Sequence, residues 1–129
     1  MSKLRVYVCA PMSGLPHLNI PAIQAATTKL RALGYEVVSP AEINAGQNPD
    51  QSAMTPLRKR AIWMHCMRKC IPELITCDWL VALPGYDFSE GCGVEITLAM
   101  GLGIRCEALE DFLASPPAPH HPITTEAHA

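Results

Sequence analysis

Four short apolar, β-rich runs recur along the chain, at residues 4–10, 35–39, 78–84 and 104–109, with helix-patterned sequence between them. This alternation limits the fold more than any other feature. Strands separated by helices are joined by crossovers, and crossovers give a parallel sheet covered by helices on both faces. The third run is apolar at consecutive positions, Trp79 through Leu83, and not at alternate ones. That pattern belongs to a strand buried on both sides.

The intervening segments carry helix signals. Asn19 precedes Ile20 and Pro21, a capping side chain followed by proline in the first turn. Ile23, Ala26, Leu30 and Leu33 keep a helical period, and Gly34 closes the segment as a C-cap. Residues 57–77 read as helix, with Pro72 expected to break or kink it. Residues 89–102 and 110–114 supply two further helical segments. Residues 40–56 are polar and irregular, a loop of a length that usually serves function or movement. There is no internal repeat.

A chain of 129 residues, 49% of them hydrophobic, supports one domain with a real core, assigned to residues 1–114. From Ser115 the sequence turns to proline, histidine, alanine and threonine, so 115–129 reads as a disordered tail with His120 and His121 solvated. The net charge of −2, with no basic block, argues against a nucleic-acid partner. No apolar run approaches the roughly 20 residues that span a bilayer, so no membrane partner is expected. The first residues lead into a strand and not into a signal peptide, so a cytoplasmic protein is expected.

Six cysteines, at 9, 66, 70, 77, 92 and 106, fall inside predicted strands and helices and are expected to be reduced thiols. Cys66 and Cys70 lie one turn apart beside His65. There is no CxxC pair, so neither a metal nor another cofactor is expected.

In such folds ligands bind at the carboxyl ends of the strands. The loops there are residues 10–14 and 84–95. The second holds Ser89, Gly91, Gly93 and Glu95, at the start of a helix. Glycines allow close approach, a helix N-terminus favours an anion, and a carboxylate can attack an electrophilic centre. The same helix N-terminus is expected to keep Glu95 ionised. Ser89 reads equally well as an N-cap, and Tyr7 as a core aromatic. Trp63, Met64 and Met67 read as core or dimer contacts and not as a base-stacking surface.

Several motifs, in order, resemble the nucleoside 2-deoxyribosyltransferase superfamily: Tyr7 through Gly14, Asn19 through Pro21, Cys77 through Gly85, Ser89 through Glu95, and Ala99 through Gly103. The likeness covers about residues 4–109 and looks strongest to a branch common in phages and prophages. It implies a flavodoxin/Rossmann-like three-layer sandwich with a four- to five-stranded parallel sheet. It also implies cleavage of the N-glycosidic bond of a 2'-deoxynucleoside or its 5'-phosphate, with Glu95 as nucleophile and Tyr7 hydrogen-bonded to it. Ser89 matches the serine that meets a 5'-phosphate in the 5'-phosphate N-hydrolases, where the transferases carry an acid. Gly91, Gly93, Pro11, Ser13 and Gly14 would complete the contacts to a small-molecule nucleotide. Cys70 stands where family enzymes have an aspartate that helps protonate the leaving base; it is a possible base contact, and Glu73, one turn on, is the candidate substitute. A homodimer is implied, because family sites are completed by a neighbouring subunit. A nucleotide-binding module without catalysis and a deoxyribosyltransferase are the alternatives.

Overall fold

The computed structural model describes residues 2–47 and 50–122. Strands β1 (Arg5–Cys9), β2 (Glu36–Val38), β3 (Trp79–Ala82) and β4 (Arg105–Ala108) form one sheet in the order β2-β1-β3-β4. Every pairing is parallel, with Tyr7 beside Val38 on one side and Leu80 on the other. Helices α1 (Ile20–Ala32), α3 (Pro56–Leu74), α4 (Glu90–Gly101) and α5 (Leu109–Ala114) cover it, and a single turn, α2 (Pro40–Ile43), follows β2.

The alternation of side chains along β1 builds both halves of the core. Val6 and Val8 pack with Ile23, Ala26 and Leu30 of α1 and Phe112 of α5. Tyr7 and Cys9 point the other way and pack with Cys70 and Leu74 of α3 and Cys92 and Ala99 of α4. The result is a three-layer α/β sandwich of the flavodoxin/Rossmann type, with four strands. The chain leaves β1 towards β2 and returns to the opposite side at β3. The crevice at a parallel sheet's ligand-binding edge opens at such a reversal.

Local expectations fail at four places. Asn19 does not cap α1: its backbone is left-handed (φ 58°), and its side-chain amide donates to the carbonyl of Pro11 at 3.0 Å. It ties down the loop after β1 instead. Pro72 does not interrupt α3, which runs through it to Leu74. It lies in the last turn, with two helical residues after it, so little helix remains to be redirected. The 40–56 segment is not wholly irregular, because α2 forms at its start; residues 48 and 49 lie outside the described residues.

The fourth correction concerns the tail. Residues 115–122 fold back over the amino-terminal edge of the sheet. The Leu4 N–H donates to the Pro119 carbonyl (2.7 Å), the His121 N–H to the Ser2 carbonyl (3.0 Å), and the Tyr35 hydroxyl to the Pro117 carbonyl. His121 Nε2 lies 3.1 Å from Asp78, whose same carboxylate oxygen accepts the Arg5 N–H at 2.8 Å. Proline-rich sequence packs here because the edge supplies partners for its carbonyls. The remainder of the expected tail, 123–129, lies outside the described residues.

Candidate active site

The loops after β1 and β3, together with α3 and Asn44, enclose a cavity of about 530 Å³. Its size falls within the usual range for small-molecule sites, roughly 300–1,000 Å³. Pro11 and Ser13 line it from the first loop. Ser89, Gly91, Cys92 and Glu95 line it from the start of α4, and Lys59, Trp63, Met67 and Cys70 from α3.

Glu95 is the buried acid of the site, with 6% of its surface exposed. The Tyr7 hydroxyl donates to its Oε2, and the Cys9 thiol donates to its Oε1 at 3.6 Å. β1 places both donors on the face that α4 covers, which is why residues so far apart in sequence meet. Burial raises the Glu95 carboxyl to about 7, against the lowering effect of the two hydrogen bonds. Burial thus opposes the help expected of the helix N-terminus in keeping the group ionised. Glu95 sits in the second turn of α4, beyond the first turn where the helix N-terminus acts, and desolvation wins. Burial and the neighbouring carboxylate push Tyr7 upward, so it stays a hydroxyl donor. Contact with Cys92, and burial, push Cys9 upward, so it stays a thiol.

Ser89 caps α4, its Oγ accepting the Cys92 N–H at 3.2 Å. A Cβ on Gly91 would come within 3.3 Å of Trp63 Nε1, so this glycine lets the first turn of α4 press against α3. Gly93 faces solvent and does not line the cavity. Gly14 (φ 79°) lines an adjoining cavity that shares Ser13, Lys59 and Trp63 with the first. Of the sequence-selected positions, Pro11, Ser13, Cys70, Ser89, Gly91 and Glu95 line the cavity, with Tyr7 behind Glu95; Gly14 and Gly93 stand outside it.

Cys70 is buried, and desolvation raises its thiol further from ionisation. It accepts a hydrogen bond from Asn44 Nδ2 at 3.6 Å, while Asn44 Oδ1 has no partner among the described residues. Glu73 does not replace a carboxylate here. It forms an ion pair with Arg5 at 3.0 Å and is absent from the cavity wall.

The sequence reading missed Trp63 and Met67, which line the cavity and are not merely core, and also Lys59 and Asn44. For Trp63 the signal was present: Lys59, Trp63, Met67 and Cys70 follow one helical stripe. Cys9, Cys92 and Glu95 also meet, with ligand atoms within 4.8 Å of one another. No spacing rule reveals a group split between a strand and a helix. All six cysteines are free thiols. Among the described residues no helix is long and apolar enough to cross a membrane.

The structure is similar to that of a 2-deoxyribosyltransferase from the psychrotolerant bacterium Bacillus psychrosaccharolyticus, with a TM-score of 0.52 and 17% identity over 81% of this chain and 70% of that one. At that identity the likeness is one of fold. No curated protein matches the sequence. The family model described as a domain of unknown function, DUF4406, matches residues 4–107, and the chain belongs to that family.

Proposed function

We propose that the chain is an N-glycosidase that cleaves the base–sugar bond of a 2'-deoxynucleoside 5'-monophosphate, with Glu95 as nucleophile. The observation that carries this reading is the hydrogen bond from buried Tyr7 to Glu95, whose side chain lines the cavity. A carboxylate held by one donor on each oxygen is aimed, and in its ionised form it can attack the anomeric carbon as the bond to the base breaks. Water then hydrolyses the glycosyl ester and restores the carboxylate. The fold shared with a 2-deoxyribosyltransferase supports the same chemical class.

Ser89 and the first turn of α4 would receive the phosphate. The Ser89 oxygen already caps the helix, and its own O–H remains a donor. Lys59 supplies positive charge in the same wall. Glu90, the acid beside Ser89, is neutralised by Arg60 at 2.7 Å. The base would then lie against Asn44 and Cys70. A homodimer accompanies this reading: Phe88, on the cavity wall, is 91% exposed, an apolar surface suited to a second copy. A monomer mass by light scattering removes the dimer.

The test is chromatography of a panel of deoxynucleotides after incubation with the wild type and with Glu95→Gln. Free base from one or more nucleotides, lost in the variant, supports the reading; no base from any member of the panel removes it. Cys70 and the diversion of Glu73 favour a second reading, a nucleotide-binding protein without turnover. A nucleotide that raises the melting temperature but stays intact identifies that case. Deoxyribosyl transfer is disfavoured by Ser89, and adding an acceptor base to the assay exposes it.

A further inference from the structure

We propose that Cys9, Cys92 and Glu95 form a binding site for a soft divalent cation of the zinc type, with one coordination position facing the cavity. All three side chains are buried, at 0%, 1% and 6% exposure. Their ligand atoms lie within 4.8 Å of one another. Cys92 and Glu95 line the cavity, so an ion reaches them without opening the fold.

The geometry is close to what such an ion needs. With a zinc–sulfur bond of about 2.3 Å and a zinc–oxygen bond of about 2.0 Å, a tetrahedral site separates sulfur from oxygen by about 3.5 Å and two sulfurs by about 3.8 Å. Cys9 Sγ and Glu95 Oε1 are already 3.6 Å apart. Cys92 and Glu95 stand three residues apart on α4 and share one face of it, while Cys9 approaches from β1. Tyr7 holds Oε2 and leaves Oε1 turned to the thiol, the kind of outer contact that orients metal ligands. Packing alone gives no reason for this set, since a carboxylate buried beside two thiols is costly.

The ion exchanges for protons. Two thiolate–metal bonds form as two S–H protons leave, together with the carboxyl proton when Glu95 carries one, and no electron moves. Thiolates and an open fourth position select zinc or cadmium over magnesium or calcium. Resting on the proposed function, a further consequence is inhibition: an ion on Oε1 takes the lone pairs that Glu95 would use on the sugar.

The test is anaerobic titration of the reduced full-length protein with cadmium chloride, following the ultraviolet thiolate-to-cadmium charge-transfer band. The expected result is saturation at one equivalent, with the band reduced by about half in both Cys9→Ser and Cys92→Ser. A Cys66→Ser/Cys70→Ser double variant keeps the full band. Tyr7→Phe keeps the band but weakens affinity by about tenfold. Thermal melts confirm that each variant is folded, and Cys92→Ser decides the matter if Cys9→Ser is not. Absence of the band, its survival at full intensity in Cys92→Ser, or its loss with Cys66 and Cys70 overturns the proposal. Base release with and without zinc, reversed by a chelator, tests inhibition. If no base is released under any condition, the N-glycosidase reading fails while the cadmium band still decides the metal site.

Discussion

The Tyr7 hydroxyl, on the central residue of β1, donates to the Glu95 carboxylate across 88 positions of sequence. The bond does two things. It orients Oε2, and it lowers the carboxyl, opposing the larger effect of burial. Tyr7→Phe keeps the ring and deletes the donor. Base release should fall by about 10- to 100-fold, and its rise with pH should move to higher pH, because Glu95 loses a stabiliser of its charged form. A purely structural tyrosine would leave the pH midpoint where it is in the wild type, so the pH–rate profile separates the two roles.

Glu95 also ties stability to pH in the metal-free protein. Its carboxyl lies at about 7 when folded, against an ordinary 4.5. Between those values the folded state holds a proton that the unfolded state has released, so stability falls as pH rises from about 4.5 to 7. At 1.36 kcal/mol per unit the loss approaches ~3 kcal/mol above pH 7. Glu95→Gln removes this slope and should be more stable than the wild type by up to that amount at pH 8, with the advantage gone at pH 5. Catalysis runs the other way: the ionised carboxylate attacks, so activity rises through pH 7 in the wild type, and the variant loses about 10³-fold or more. Urea denaturation at the two pH values checks the first claim, and equal wild-type and variant midpoints at pH 8 would falsify it.

Lys59 makes no ion pair among the described residues and lines both cavities. It stands one turn before Trp63, whose ring abuts Gly91 at the start of α4. From there its ammonium can face a phosphate held by Ser89. Lys59→Ala should raise KM for a deoxynucleoside 5'-monophosphate by about tenfold with kcat little changed, since it removes binding made equally before and during the reaction. Binding of the unphosphorylated nucleoside should not change. An equal loss for both ligands, read by calorimetry, places Lys59 outside the phosphate contact.

Much of the fold was legible because its signals are local. The consecutive apolar positions of β3, the apolar run of β1 and the Gly34 stop each report burial or turn geometry in a few residues. The carboxylate and its tyrosine were legible through motif order. What escaped depends on contacts between distant segments. Gly93 and Gly91 look alike in sequence, yet only Gly91 faces α3, because the helix turns Gly93 to solvent. Asn19 has every mark of a cap, but the loop after β1 competes for its amide. The charge state of Glu95 followed burial and not its place on the helix, and burial is a property of the packed molecule.

The carboxyl-terminal residues give the clearest case of composition misleading. Pro117, Pro119 and His121 bring one carbonyl, another carbonyl and an N–H to partners on Tyr35, Leu4 and Ser2. Pro119 also packs on Gly34, where a Cβ would meet its side chain at 3.1 Å and the backbone is left-handed (φ 98°). Three hydrogen bonds at about 1 kcal/mol each, plus the contact of His121 with Asp78, are worth roughly 2–4 kcal/mol. Truncation after Ala114 should therefore lower stability by about that much, and it should leave the Tyr7–Glu95 side intact because the tail crosses the opposite end of the strands. A truncated protein whose urea midpoint equals that of the full chain would show that these contacts contribute nothing. Gly34→Ala, which strains the same junction from the other side, should destabilise the full chain more than the truncated one, and a double-mutant cycle between the two changes measures the coupling directly.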